Sequence, residues 1–346
     1  MKSLNDIRRQ ITPALHSVEQ FRTDQLETIR REKQWFVLPI IIFCAALWAT
    51  FLGYILLVVM LVVSGFLVFV WIGIFKIEPQ RLTYVNHFKM EAFSAFVKML
   101  YPNTYYAPSN YLPSVLFSKS KLFGSYTSYS GKDYFEGQTD NACSFKFSEL
   151  DVTNVHSDTK NELGNTTTIL FKGMFFVLDV SHYMNGYTQI LPTSTEHNLE
   201  GIEHFIPKKI GDFFKREAMI DMEEHPEFGE EFVVYSKDEK EAFRILTPNL
   251  LKAIYDLRYK WKASLSISFI ERQIYIALPH NKNLFYPDIR RSILKDTALE
   301  EIYDELGLCF AVIEDLSQEH QPSENWEQLN NINYKTGYSK NNPFLM

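Results

Sequence analysis

The sequence predicts an α+β protein, with a two-helix transmembrane hairpin followed by a soluble domain built from antiparallel sheet and packed helices. Three observations predict it. Residues 35–75 contain no Asp, Glu, Lys, Arg, His, Asn or Gln. From about residue 122, β-branched and aromatic runs bounded by Gly, Asn and Asp read as strands. Helical periodicity then returns twice, at 248–260 and at 296–316.

The apolar stretch comes first because its length decides its topology. At about 1.5 Å per residue, a helix over residues 35–75 would reach roughly 60 Å, twice the roughly 30 Å hydrocarbon core of a bilayer. A tilt cannot absorb that excess, so the length predicts two crossings, 35–52 and 54–75, within an anchor of residues 35–76. Gly53 is the natural turn, with Thr50 and Tyr54 beside it to satisfy freed backbone groups. Pro39 falls in the first turns of the first helix, and Ser64 and Gly65 are small enough to let the two helices approach. A hairpin also brings Trp35 and Trp71 to one interface. The competing reading is a single span whose extra turns are buried in the soluble domain.

Flanking charge predicts the orientation. Lys2, Arg8, Arg9, Arg22, Arg30, Arg31 and Lys33 precede the stretch, Lys76, Arg81, Lys89 and Lys98 follow it, and the turn carries no charge. Both termini therefore read as cytoplasmic.

Outside the hairpin, residues 1–34 read as a cytoplasmic N-terminal helix opened by Thr12 before Pro13, with Glu27 and Arg31 spaced as an i,i+4 pair. Residues 77–121 read as a juxtamembrane helix ending at Tyr101-Pro102-Asn103, then an irregular connection. Residues 122–316 form the α+β domain, divisible into blocks 122–206 and 230–316, and residues 317–346 are a polar tail. The strands fall at Asp133–Gly137, Ala142–Phe147, Thr167–Asp179, Thr188–Leu191 and Phe232–Tyr235, with a bulge at Gly173. Leu265–Phe269 and Gln273–Ala277 read as a tight hairpin around Ile270–Arg272. Thr247 before Pro248 starts the penultimate helix.

Composition narrows the function classes. Hydrophobic residues make up 46% of the chain and aromatics 15%, enough for a packed core rather than disorder. A net charge of −7 argues against nucleic acid as a partner, since phosphate neutralisation needs the opposite sign. Cys44 lies in the apolar stretch, and Cys143 and Cys309 are too far apart in sequence to form a zinc spacing. In a reducing cytoplasm they are expected as thiols, although a Cys143–Cys309 bridge is the alternative.

Candidate chemistry is sparse. Asp221, Glu223, Glu224, His225, Glu227, Glu230 and Glu231 form the densest acidic cluster. It lacks H-E-x-x-H spacing and reads as a solvated loop around Pro226 and Gly229. Glu196, His197, Glu200, Glu203 and His204 could share a helix face, but charged faces are usually wet rather than metal-binding. His87, His156, His182 and His280 are scattered. No nucleophile elbow, Walker loop or dinucleotide fingerprint occurs, so no catalytic, cofactor-binding or metal residue is assigned. Tyr101, Tyr105, Tyr106, Tyr111, Tyr126, Tyr129 and Tyr134 crowd a short segment. They are expected either to line a groove for a peptide or lipid or to pack the sheet.

Several runs resemble a known family. Lys132-Asp133-Tyr134-Phe135-Glu136-Gly137, Phe171-Lys172-Gly173-Met174-Phe175-Phe176, Pro226-Glu227-Phe228 with Phe232-Val233-Val234-Tyr235-Ser236, Leu246-Thr247-Pro248 and Ile274-Tyr275-Ile276-Ala277 occur in order. Over roughly residues 75–335 this is similar to bacterial proteins grouped as the domain of unknown function DUF3137. The resemblance implies a bacterial inner (plasma) membrane protein with a short cytoplasmic leader and two transmembrane helices, and it assigns no chemistry. The expected role is a membrane-tethered cytoplasmic binding or scaffold module for a protein or lipid partner, in contact with lipid through residues 35–75. The alternatives are a membrane-associated hydrolase with a dispersed site, and a membrane-perturbing effector whose hairpin homo-oligomerises and whose soluble domain senses.

Overall fold

The computed structural model describes residues 4–140, 143–156, 166–193, 219–222 and 225–318. These fall into two compact units, one drawn from residues 1–100 and 284–305, the other from 101–283 and 306–346.

The first unit is helical. Helix α1 (Leu4–Glu32) buries Ile7, Ile11, Leu15 and Val18, the spacing of one helix face. It starts before the predicted Thr12–Pro13 cap and carries Pro13 inside. The Thr12 hydroxyl donates to the Arg8 carbonyl at 2.7 Å instead of capping. Burial of that apolar face outweighs the proline's missing donor. A tight turn, Lys33–Phe36, leads into α2 (Val37–Phe51), and the chain reverses through Leu52–Tyr54 into α3 (Ile55–Ile72). Gly53 holds φ at +79°, and the Gly53 and Tyr54 amides donate back to the Thr50 and Ala49 carbonyls at 3.0 and 3.1 Å. The break lies where the sequence places it. Ala46, Ala49 and Gly65 are buried between α2 and α3. A Cβ added at Gly65 would sit 3.2 Å from Ile42 Cγ2, so a small residue sets this approach.

Beyond α3 the helix continues through a π-turn (Gly73–Ile77), α4 (Glu78–Phe88), a second π-turn (Lys89–Phe93) and α5 (Ser94–Leu100). Both helical arms are long: residues Asp6–Phe51 and Ile55–Leu100 each run on as one rod. Helix α1 packs along α4 and α5. Three side chains of α1 also grip the segment 289–294. Arg22 donates from Nη1 to the Ile289 carbonyl at 2.9 Å, Glu19 accepts from the Ile293 amide at 3.2 Å, and Arg8 donates to the Leu294 carbonyl. Burial alone would raise the Glu19 carboxyl. Hydrogen bonds from Arg22 and Ser292 outweigh it and hold the group below the usual carboxylate range.

The second unit is built on a sheet of seven strands among the described residues. They are β1 (Thr104–Ala107), β2 (Ser128–Gln138), β3 (Ser144–His156), β4 (Thr166–Pro192), β5 (Met219–Ile220), β6 (Phe232–Ser236) and β7 (Ser266–Pro279). All pairings are antiparallel, in the order β1-β2-β3-β4-β6-β5. Strand β7 lies along the other side of β4, from Gly173↔Pro279 to Ile190↔Ile267. Short helices α6 (Ser114–Lys119), α7 (Pro226–Glu231), α8 (Glu239–Ile245) and α9 (Pro248–Trp261) fill the connections, and α10 (Asp296–Gln318) closes the described chain. Thr247 caps α9 as expected, its Oγ1 accepting from the Leu250 amide at 3.2 Å.

Several strand boundaries differ from the sequence reading. Asp133–Gly137 lengthens to β2, and the strand read at Ala142–Phe147 runs on to His156 in β3, with Ala142 outside the described residues. Strand β1 forms within the segment read as an irregular connection. Thr167–Asp179 and Thr188–Leu191 are parts of one strand, β4, and the hairpin expected around Ile270–Arg272 does not form. Instead Glu271 takes φ +56° opposite Met184 while β7 continues past it. A bulge shifts the register on both β4 and β7, and long-range pairing keeps the two strands aligned across it. The bulge expected at Gly173 falls instead at Leu170, where the register slips between Val152↔Phe171 and Thr153↔Ile169. Gly173 has a different task, since a Cβ there would stand 2.1 Å from the Leu278 carbonyl oxygen.

One sheet face packs Leu150, Val152, Phe171, Phe175 and Tyr275 against Leu112, Phe117 and Leu122. On the other, Phe147 lies between Phe135 and Phe176 at centroid distances of 4.3 and 5.0 Å, with Phe310 of α10 edge-on at 5.8 Å. The requirement at Gly173 predicts that Gly173→Ala costs about 3 kcal/mol or more in a denaturant titration of the detergent-solubilised protein. Gly124→Ala, where nothing lies within 4 Å, is expected to cost under about 0.5 kcal/mol.

Candidate functional site

Among the described residues, the most exposed apolar surface is the hairpin. Phe51 is 85% exposed, Leu56 83% and Ile55 77%. Leaving such side chains in water would cost about 1.5–3 kcal/mol each relative to burial. Inside each helix the backbone satisfies its own hydrogen bonds, which is the condition for surrounding it with hydrocarbon. At the outer ends, Trp35 and Trp71 stand half-exposed, and the Lys76 ammonium lies 5.9 Å over the Trp71 ring. The hairpin is thus an apolar rod with an aromatic and cationic end and an uncharged tip.

The tyrosine-rich segment is mostly structural. Tyr101 stacks on Phe310, Tyr129 donates to the Leu112 carbonyl at 2.8 Å, and Tyr126 and Tyr134 pack on the sheet core. Tyr106 donates to Asp133 Oδ1 at 2.6 Å, and burial followed by the Asp133 charge pushes its hydroxyl far above the usual range. Asp133 itself takes φ +58° at a bulge in β2, which directs its buried carboxylate to this bond. Tyr105 and Tyr111 remain open, at 60% and 41% exposure. Tyr105 belongs to β1, which pairs only with β2 among the described residues and so forms a sheet edge.

His280 is the histidine whose surroundings are most specific. It follows β7, and its amide donates to the Lys172 carbonyl at 3.0 Å. Its Nδ1 donates to the Lys282 carbonyl at 2.8 Å, leaving Nε2 enclosed as an acceptor with no hydrogen-bond partner. Burial, opposed by that carbonyl and reinforced by Lys132, Lys172 and Lys282, pulls its pKa down to about 4, so the ring is neutral at pH 7. Lys132 and Lys172 are committed to Glu149 and Asp151 at 3.4 Å each. The ring therefore sits in a group of ion pairs rather than beside a nucleophile.

Other candidates separate. Cys44, Cys143 and Cys309 are free thiols, so the Cys143–Cys309 bridge is not formed. Cys143 donates to the Asp179 carbonyl at 3.1 Å, and burial together with the Asp179 charge pushes its thiol up to about 11, away from reactivity. The acidic segment read as a loop is partly helical: α7 spans Pro226–Glu231, buries Phe228 and ties Glu231 to Arg258. Glu223 and Glu224 lie outside the described residues, as do Glu196, His197, Glu200, Glu203 and His204. Among the described residues, no group of three or more His, Cys, Asp and Glu is placed to hold a metal. His87 stacks on Phe21 at 4.1 Å and lies 3.9 Å from Glu91. A shallow cleft of about 70 Å³ is lined by Tyr286, Asp288, Arg291, Glu301 and Glu305, whose charges are largely paired. Arg291 bonds Glu301 at 3.0 Å, and Glu305 accepts from the Phe285 amide at 2.8 Å. Sequence reasoning did not find the Arg8–Glu19–Arg22 grip, because its partners are main-chain groups more than 260 positions away.

The exposed apolar hairpin and the antiparallel sheet with its helices define an α+β protein with two helices long and apolar enough to cross a membrane. Residues 169–318, from within β4 to the end of α10, match the model of the family described as "Protein of unknown function (DUF3137)". No curated protein matches the chain. Among solved structures, the crystal structure of the mycobacterial trehalose monomycolate transport factor A, TtfA, is similar at 9% identity with a TM-score of 0.28. The match covers 60% of this chain and 88% of that one. At those values the likeness carries no argument about fold or function.

The depressed His280 predicts a pH dependence. Between pH 6.5 and about 4 the unfolded chain binds a proton there that the folded chain does not, so stability falls as pH drops through that window. Chemical denaturation at stepped pH is expected to show this slope, and His280→Asn is expected to flatten it.

Proposed function

We propose that the chain is a two-pass protein of the bacterial inner membrane that presents a cytoplasmic binding or scaffold module to a protein or lipid partner. In this reading residues 35–76 are the tether, and residues 1–34, 77–316 and the tail 317–346 lie on the cytoplasmic side. The observation that carries it is the exposed apolar hairpin, whose turn at Gly53 carries no charge while cations crowd both outer ends. Binding rather than turnover is supported by what the second unit spends its polar groups on. His280 is neutral and surrounded by ion pairs, Cys143 is held as a thiol, and both sheet faces are filled by rings. Tyr105 and Tyr111 near the open β1 edge supply the rigid, amphipathic surface that partners prefer.

Two measurements test this. Reporter fusions at residue 53 and after residue 346 are expected to show a translocated turn and a cytoplasmic C-terminus; a translocated C-terminus overturns the topology. A photo-crosslinking residue at Tyr105 in native membranes is expected to yield a discrete adduct that the same probe at exposed Lys240 does not. Identical patterns at the two positions would remove this edge from the binding surface.

A further inference from the structure

The end of the hairpin where both arms leave the apolar zone carries a collar of charge. Lys76 and Arg81 are partly spoken for: Lys76 pairs with Glu32 and Arg81 with Glu78, each at 3.6 Å. Arg30, Arg31 and Lys33 are different. All three are exposed, and none makes an ion pair among the described residues; the i,i+4 pair that spacing suggests between Glu27 and Arg31 is not made. The geometry of α1 explains why. Ile29 is buried and Glu32 turns inward to Lys76, so positions 30, 31 and 33 fan outward around the remaining arc of the helix.

Their depth is fixed by the helix they stand on. The rod from α1 through the turn Lys33–Phe36 into α2 is continuous. Arg30 therefore lies only about 8 Å along the axis from Trp35, at the border where indole rings sit. Guanidinium and ammonium groups on flexible stems at that level reach the phosphate layer and pair with it, guanidinium bidentately. We propose that Arg30, Arg31 and Lys33 form a binding surface for the headgroups of anionic phospholipids in the leaflet that the two outer helix ends leave. Lys76 and Arg81 contribute less, because their carboxylate partners compete. The tip of the hairpin, Leu52–Tyr54, has no charge with which to make an equivalent surface in the opposite leaflet.

This rests on the hairpin being embedded in a bilayer, and the test separates the two. Full-length protein is reconstituted into vesicles of phosphatidylcholine with 20% phosphatidylglycerol, and flotation first establishes insertion. Association of spin-labelled phosphatidylglycerol and phosphatidylcholine is then compared. One exposed cation near an anionic surface is worth about a fivefold preference, so three, even if far from additive, predict an overall selectivity of at least about fivefold at low salt. Raising the ionic strength to 0.5 M is expected to reduce it severalfold, since screening shortens the reach of each charge to a few ångströms. Arg30→Gln, Arg31→Gln and Lys33→Gln combined is expected to bring selectivity below about twofold while flotation is unchanged. Equal association of the two lipids by the wild-type protein overturns the proposal, as does undiminished selectivity in the triple variant. Displacement of phosphatidylglycerol by inorganic phosphate, beyond the effect of chloride at equal ionic strength, overturns it in favour of a small-anion site. Failure to float would instead count against the membrane reading itself.

Discussion

The second unit depends on one pairing, the ladder between β4 and β7. Strand β7 follows β4 from Gly173 to Ile190, while β3 occupies the opposite side of its first half and β6 the opposite side of its second. The β1-β2-β3 group and the β5-β6 pair are therefore joined through β4 alone. A ladder this long survives only if its partners can come close, and Gly173 provides the closest approach. Irregularity is confined to one stretch, between Asp179 and Tyr187, where β4 and β7 bulge without parting.

The first unit obeys a different constraint. Its apolar helices bury little of themselves within the protein and satisfy their backbone internally, which suits a solvent with no hydrogen bonds to offer. Where the arms leave that zone the logic changes to polar contacts made at long range. Arg8, Glu19 and Arg22 spend their hydrogen bonds on main-chain groups of residues 289–294, joining the two separate segments of sequence that make up this unit. An arginine held between a carboxylate and a carbonyl, itself only 8% exposed, is a costly contact to lose because nothing else could pair with it there.

Legibility followed the range of the interactions. The hairpin was readable because hydropathy and length are local, and Gly53 and Thr247 because caps and turns are set by neighbouring residues. Helix α1 was misplaced at its start, since the burial that carries it through Pro13 is tertiary. The false hairpin at Ile270–Arg272 has the same origin: polar Glu271 and Arg272 look like a turn, and only the partner strand shows that they are a bulge. At the candidate site, the tyrosine cluster was visible as composition, but which rings are open was not. That depends on the packing of Leu112 and Phe117 over β2 and β3. The isolation of His280 Nε2 had no sequence signal, because it arises from a neighbouring carbonyl and three lysines, two of which lie on other strands.

The two π-turns set the angular phase of the outgoing arm. Each widens one helical turn to accommodate an extra residue, and one residue corresponds to about 100° of rotation about the axis. The faces of α4 are thus turned by that amount relative to α3, and those of α5 by as much again. A chain shortened by one residue within 73–77 could still form an unbroken rod of nearly the same reach. It would nevertheless present Tyr84, Val85 and Phe88 to the wrong side of α1. The spacing between the apolar zone and the polar helices is therefore counted in residues rather than ångströms, and a single deletion there changes the partner each side chain meets.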